Sequence, residues 1–329
     1  MAERTAFVTG ASGFIGGALT RRLLSEGWRV RALARSDASA EKVAALGAEP
    51  ARGDLGDPGA IRAGAERAEL AFHAAAAVLE WGPREEFVRA NVAGTRNALA
   101  GCREAGVRRF VHVGTEAALL VGEPLHEVNE RAPLRPDSKA YYSATKAEAE
   151  RAVREANGDG LETVVLRPRL VWGAGDASIL PSMVEAVKAG RFAWVAGGRH
   201  LTSTTHVDNV VEGLMLAAER GASGEAYFVT DGEPVVFREF VTELLATQGV
   251  EAPTRSMPAP LAHLIAAGGE AVWRTLRLRG TPPLTRLAYW LLALETTIDI
   301  SKARDELGYE PQVTIEQGMA GLRAEAAAR

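Results

Sequence analysis

Through the first half of the chain, short apolar runs rich in β-branched residues alternate with stretches whose apolar positions recur every three or four residues. The runs at 5–8, 29–33, 48–52, 70–74, 110–113 and 163–166 have the length and composition of strands. The stretches at 14–26, 40–46, 58–64, 85–105 and 141–156 carry helical periodicity. Strands separated by helices imply right-handed crossovers and a parallel sheet. Six such strands fit two mononucleotide-binding halves, with a ligand at the switch point between strands one and four. The pattern predicts an α/β fold with a doubly wound parallel sheet.

The second half is less regular. Gly173-Ala174-Gly175-Asp176 opens a loop, a helix is expected near 179–189, and Gly197-Gly198 marks a turn. His206-Val207-Asp208-Asn209 starts a helix over 210–219, with Asp208 as the expected N-cap. Residues 226–230 predict a strand returning to the main sheet. Beyond Pro253 come prolines and two apolar helical segments, 261–278 and 284–294. These pieces predict a smaller, interleaved C-terminal lobe closing over the strand ends. The expected division is a dinucleotide-binding domain over 1–170, its sheet completed by 203–231, and a mainly substrate-binding lobe over 171–329. The segment 284–294 reads first as core packing or a dimer seam. Its alternative is an apolar lid or a membrane-surface contact.

Between the first strand and first helix lies Thr9-Gly10-Ala11-Ser12-Gly13-Phe14-Ile15-Gly16-Gly17. Strand, glycine turn and helix is the arrangement that aims helix N-terminal N–H groups at a diphosphate. The spacing is G-x-x-G-x-x-G, and such a turn alone serves equally as a structural strand-to-helix corner. The formal net charge is -4 over 329 residues, which gives no basic face for a nucleic acid. The single cysteine, Cys102, excludes an intrachain disulfide and a cysteine-rich metal site, and no metal is expected. No apolar run approaches the roughly 20 residues of a membrane span. The N-terminus enters a strand without a signal-like segment, so a cytoplasmic location is expected.

The most informative short run is Tyr142-Ser143-Ala144-Thr145-Lys146. On a helix, Tyr142 and Lys146 share a face. A phenol with its ordinary pKa of about 10 is poorly matched to proton transfer near neutrality. A neighbouring ammonium favours phenolate and brings it toward a useful range. Thr115 follows the fifth strand at the carboxyl edge, where ligands bind in open α/β sheets. Its hydroxyl is placed to hold an oxygen that Tyr142 protonates or deprotonates.

Together these stretches resemble the extended short-chain dehydrogenase/reductase family, part of the epimerase/dehydratase superfamily. The resemblance runs nearly end to end. It takes in the glycine turn, Gly53-Asp54-Leu55, His73-Ala74-Ala75-Ala76, Asn91-Val92-Ala93-Gly94-Thr95 and Tyr142–Lys146. It continues through Leu166-Arg167-Pro168, Val171-Trp172-Gly173, His206-Val207-Asp208, Asp299-Ile300-Ser301-Lys302-Ala303-Arg304 and Leu307-Gly308-Tyr309. It implies a Rossmann-type domain with a substrate lobe and a homodimer through the helices at 85–105 and 141–156. It also implies roles. Gly10, Gly13, Phe14, Ile15 and Gly16 would surround a diphosphate, and Asp54 and Leu55 would border adenine. Ala74 and Ala75 would line the path to the nicotinamide ribose, whose hydroxyls Lys146 would also bind. Pro168 and Val171 would flank the nicotinamide ring. Thr115, Tyr142 and Lys146 match the catalytic hydroxyl, acid/base and lysine. Asn91 matches a helix anchor, and His206 and Asp208 a joint between the lobes.

Two positions depart from the family pattern. Thr115 stands in place of a serine and keeps the hydroxyl. Glu116 stands where a small residue is usual, and is expected to be a solvated loop residue, with a substrate-facing carboxylate or second acid/base as alternatives. At the end of strand two, Ala34 replaces the Asp or Glu that would bind a ribose 2′-OH, and Arg35 follows. That combination predicts NADP over NAD, with Arg35 forking onto the 2′-phosphate. The second half resembles most the 3β-hydroxysteroid dehydrogenase and sterol dehydrogenase branch, with the dihydroflavonol reductase-like branch close behind. The expected reaction interconverts a secondary alcohol and a ketone on a hydrophobic, steroid-like small molecule. The rivals are a nucleotide-sugar epimerase or dehydratase with tightly bound NAD, using Arg169, Arg191 and Arg199 for a substrate diphosphate, and a non-catalytic dinucleotide-binding regulator.

Overall fold

A computed structural model describes residues 4–78 and 80–328. Seven parallel strands form the central sheet: β1 (Thr5–Thr9), β2 (Arg29–Ala34), β3 (Glu49–Arg52), β4 (Leu70–His73), β5 (Arg109–Val113), β6 (Glu162–Pro168) and β7 (Ala226–Val229). Their spatial order is β7-β6-β5-β4-β1-β2-β3. The strand direction is parallel throughout. β1 sits beside β4, so the chain reverses its winding there and leaves a crevice at the carboxyl ends of both. β7 is the predicted returning strand.

Helices cover both faces, which is why the inner strands read as unbroken apolar runs. On one face, Leu19 and Leu23 of the helix Phe14–Ser25 pack with Val210 and Leu214 of the helix Val207–Arg220. On the other, Ile61 of Pro58–Ala65, Leu99 and Cys102 of Gly94–Glu104 and Val153 of Tyr141–Glu155 form a second core. Burial pushes the Cys102 thiol up to about 12, so it is an unreactive packing group.

Several elements differ from the sequence pattern. The helix expected over 85–105 is three segments: Arg84–Phe87, a wider π-type turn Val88–Ala93, and Gly94–Glu104. The widened turn carries Asn91 to the inner face, where it is buried. The helix expected from 210 begins at Val207, and its N-cap is His206, not Asp208. The His206 ring accepts from the Asp208 N–H at 3.3 Å, while Asp208 lies exposed in the first turn. Asp231 explains the earlier start. Its carboxylate accepts from the His206 N–H at 2.6 Å, from Asn209 Nδ2 and Trp172 Nε1 at 2.7 Å, and from the Thr204 hydroxyl at 2.7 Å. One acid after β7 thereby knits the sheet to the second half of the chain.

In that second half, Trp172, Trp194, Phe237, Phe240 and Met319 share one core. Two helices there, Phe237–Ala246 and Ile315–Ala327, lay outside the sequence pattern. Ala262, Leu287, Tyr289 and Trp290 form another core, against Ala117 and Leu120. The helix Arg286–Ala293 is thus a packing element, with Leu287, Tyr289 and Trp290 buried in that core. Exposed apolar side chains lie instead on and just after Ala259–Thr275, at Leu261, Leu264, Val272 and Leu276. Among the described residues, no helix is long and apolar enough to cross a membrane.

Candidate active site

The glycine turn is built so closely that two of its members admit no side chain. Gly10 has φ +79°, and a Cβ there would lie 2.7 Å from the Ala75 nitrogen. A Cβ on Gly16 would lie 2.2 Å from the Gly10 carbonyl oxygen. The second contact holds the helix Phe14–Ser25 against the end of β1. Gly13 is its N-cap and offers no side chain, and the first turn has no acid. Its N-terminal N–H groups, including those near Phe14 and Ile15, are left to an outside anion. Ala74 and Ala75 leave β4 and pass directly over Gly10, as a wall of the same crevice.

At the neighbouring strand ends, Ala34 closes β2 and Arg35 projects from it, exposed, with no hydrogen bond or ion pair to a described residue. Arg52 at the end of β3 pairs with Asp37 at 2.5 Å. Asp54 is exposed, its Oδ1 accepting from the Gly56 N–H at 2.8 Å. Leu55 is half-buried, and its carbonyl accepts from Asn97 Nδ2 at 2.7 Å.

Beyond β5, Gly114 keeps the chain in register by donating its N–H to the Leu166 carbonyl at 2.7 Å. Thr115 then caps the short 3₁₀ turn Glu116–Leu119, accepting from the Ala117 N–H at 3.2 Å. That turn packs on the helix Tyr141–Glu155 and brings Thr115 to Tyr142. Tyr142 is half-buried at the edge of the apolar cluster around Trp290. Its phenol is pushed well above the usual range by burial and then by the Glu116 carboxylate, with the Thr115 hydroxyl pulling the other way.

Lys146 reaches from the same helix to the end of β5. Its Nζ donates to the Val113 carbonyl at 2.7 Å and lies 3.4 Å from His112 Nε2. Burial brings the ammonium down to about 8, with Glu150 opposing. His73 is structural: it joins Thr9 Oγ1 at 2.7 Å and Thr95 Oγ1 at 3.0 Å, and burial, then Lys146, take it down to about 3. Asn91 braces the site, accepting from the Ala77 N–H at 2.8 Å and donating to Thr145 Oγ1 at 3.1 Å. Pro168 ends β6, and Val171 opens the two-residue strand Val171–Trp172 that pairs with Thr205–His206.

The expectation for Glu116 is overturned. Glu116 is 3% exposed, accepts from the Thr115 hydroxyl at 2.8 Å, and receives Arg169 Nη1 at 2.6 Å. Arg169 is itself buried, with Nη2 donating to Thr202 Oγ1 at 2.9 Å. A carboxylate free to ionise was expected in solvent; a buried cation 53 residues away holds it inside instead. The pairing also removes Arg169 as a diphosphate ligand, while Arg191 and Arg199 stay exposed. A second buried pair, Arg167 with Glu150, lies one turn beyond Lys146. No local motif in the chain signals either pair. Only an acid and a base at otherwise apolar strand-end and helix positions hinted at them.

A doubly wound sheet, a glycine turn after its first strand and a Tyr-x-x-x-Lys helix beside its fifth define an oxidoreductase of the extended short-chain type. The profile of the 3-beta hydroxysteroid dehydrogenase/isomerase family matches residues 7–259, and the chain belongs to that family. The 4-hydroxy-2-methyl-3-oxo-4-farnesyl-3,4-dihydroquinoline-1-oxide ketoreductase of Stigmatella aurantiaca is 49% identical over 96% of this chain and 95% of its own length. The 2-alkyl-3-oxoalkanoate reductase of Stenotrophomonas maltophilia is 38% identical over 98% of this chain and 99% of its own. Among solved structures, the dTDP-glucose 4,6-dehydratase DesIV of Streptomyces venezuelae superposes with a TM-score of 0.76. It is 23% identical, with 99% of this chain and 97% of that chain covered, a likeness of fold.

Proposed function

We propose that this protein is an NADP-dependent ketone reductase acting on a hydrophobic small molecule, with Tyr142 as proton donor. The observation that carries it is that the turn capped by Thr115, just past the carboxyl edge of β5, packs on the helix that bears Tyr142 and Lys146. The glycine turn suits a diphosphate, since the helix Phe14–Ser25 starts at Gly13 with no side-chain cap and no acid in its first turn. When bound, the dinucleotide supplies the hydride.

The chain's own residues do the rest. Gly13, Phe14, Ile15 and Gly16 hold the diphosphate, Arg35 the 2′-phosphate, and Asp54 and Leu55 border the adenine. Ala74, Ala75, Pro168 and Val171 shape the path and pocket of the nicotinamide, and Lys146 holds the ribose. The Tyr142 phenol gives its proton to the carbonyl oxygen as the hydride reaches the carbonyl carbon, and Thr115 orients that oxygen. A phenol held protonated suits reduction. The apolar surroundings of Tyr142 suit a hydrophobic ketone, and the two relatives described are a ketoreductase and an oxoalkanoate reductase. The nucleotide-sugar reading loses ground because Arg169 and Glu116 neutralise each other inside the protein. Residues 171–329, apart from the sheet-completing 203–231, are assigned mainly to the substrate, and the helices Gly94–Glu104 and Tyr141–Glu155 to a homodimer seam.

The test is NADPH and NADH oxidation followed by absorbance across steroid, 2-alkyl-3-oxoalkanoate and aliphatic ketones. Turnover of apolar ketones with NADPH preferred is the expected result. Turnover confined to nucleotide sugars, with no net change in NADPH, overturns it.

A further inference from the structure

Among the described residues, eight large apolar side chains are exposed, and six of them lie between positions 261 and 278: Leu261, Leu264, Ile265, Val272, Leu276 and Leu278. Leu264 and Leu276 are the barest of the six, at 68% and 64%. Scattered singly, such residues need no explanation; gathered like this, they mark a contact surface. Five of them follow the spacing i, i+3, i+4, i+11 and i+15 on and just past the helix Ala259–Thr275, which sets them along one stripe. Gly268 falls at i+7 in the same stripe, and a Cβ there would meet nothing within 4 Å. The opposite face is occupied: Ala262 and Ala266 pack with Ala117, Leu120 and Trp290, in the cluster whose edge holds Tyr142. The helix is thus apolar on both sides, with protein against only one.

The charges select the partner. Residues 252–294 carry five arginines, Arg255, Arg274, Arg277, Arg279 and Arg286, and a single acid, Glu270, in a chain whose net charge is -4. Glu270 is buried and already shared by Arg274 and Arg286. Arg274 also lies over the rings of Trp81 and Tyr141. Arg277 and Arg279 flank Leu278, exposed and with no ion pair to a described residue. A second copy laid on the same face would have to complement itself, yet the stripe offers cations and no free acid. A bilayer with anionic headgroups answers both features: its acyl boundary takes the leucines and its headgroups take the arginines. Among the described residues no helix is long and apolar enough to span a membrane, so the contact is one with its surface.

We propose that this protein docks on the surface of an anionic lipid bilayer through the outer stripe of the helix Ala259–Thr275. Leu261, Leu264, Ile265, Val272 and Leu276 enter the boundary between headgroups and acyl chains, and Arg277 and Arg279 pair with anionic headgroups. The docked helix lies in the plane of the membrane. Its inner face then sets the apolar cluster at Tyr142 one helix diameter, about 10–12 Å, from the lipid. The docking does not depend on the reaction assigned above, and either can fail without the other.

The experiment sediments the full chain with sucrose-loaded vesicles of phosphatidylglycerol and phosphatidylethanolamine, and with vesicles of phosphatidylcholine, at low and high salt. Wild type is expected to bind the anionic vesicles about tenfold more tightly than the neutral ones, and to lose that margin in high salt. Arg277→Gln/Arg279→Gln should weaken binding to the anionic vesicles by about thirtyfold. Leu264→Gln/Val272→Gln/Leu276→Gln should weaken it by about a hundredfold. Gly268→Leu should tighten it by about tenfold, because the added side chain has only lipid to meet. This gain is read even if circular dichroism shows the triple variant melting early. Wild type that stays in the supernatant, a folded triple variant that sediments like wild type, or Gly268→Leu binding no tighter overturns the proposal. A dimer by light scattering that the folded triple variant turns into a monomer also overturns it, and gives the face to a second copy.

Discussion

The Lys146 ammonium donates to the Val113 carbonyl at 2.7 Å, which seats the lysine beneath the end of β5. A lysine there is desolvated by the sheet and the helix that carries it, and the carbonyl is a weak substitute for water. Its proton is therefore held less tightly than in the unfolded chain, at about 8 against the ordinary 10.5.

That depression has a measurable sign. Between pH 8 and 10.5 the unfolded state binds the Lys146 proton and the folded state does not, so stability rises with pH across that window. The cost of the buried ammonium is present in full below pH 8 and is gone above 10.5. Its size is on the order of 3 kcal/mol. Denaturant melts should show Lys146→Met gaining over wild type at pH 7, and the gain shrinking as pH approaches 10. A gap constant with pH would contradict the assignment.

Tyr142→Phe keeps the ring in the cluster around Trp290 and removes only the hydroxyl. Turnover is expected to fall by about 10²–10⁴-fold, the usual contribution of a general acid. Dinucleotide affinity, measured by calorimetry, should stay within about threefold, since one hydrogen bond at most is involved.

Arg35 leaves the end of β2 exposed and without a partner among the described residues, beside the Asp37–Arg52 pair. Arg35→Asp should lower kcat/KM for NADPH by tenfold or more while leaving NADH little changed, because a carboxylate repels the 2′-phosphate and accepts from a 2′-hydroxyl. Equal losses with both cofactors would show that Arg35 does not read the phosphate.

Asp231 holds four donors from Trp172, Thr204, His206 and Asn209. Asp231→Ala leaves them unpaired and should destabilise the fold by about 2–4 kcal/mol, with Asp231→Asn losing less. Denaturant unfolding read by tryptophan fluorescence checks both, since Trp172 loses its indole acceptor.

How much of this was legible beforehand follows from the range of each interaction. Alternating strand and helix patterns, the glycine turn and the Tyr142–Lys146 face are written in neighbouring residues, and β1 to β7 lie within a residue or two of the predicted runs. The cap of the helix Val207–Arg220 was missed for a nearby reason: Asp208 is the better capping residue locally, but Asp231 captures the backbone two residues earlier. The widened turn at Val88–Ala93 was hidden because Asn91 is drawn inward by Ala77 and Thr145, partners remote in the chain.

By itself, then, the sequence determined the sheet, its winding, the glycine turn and the side chains available for chemistry, because periodicity and backbone permissiveness act over a few residues. Tertiary structure alone decided what those side chains meet. Glu116 reads as solvated until the end of β6 delivers Arg169 beside it, and nothing near Lys146 in the chain tells that its ammonium meets the Val113 carbonyl. Charges respond to whatever lies within a few ångströms, and in a wound sheet those neighbours come from strands far apart in the chain.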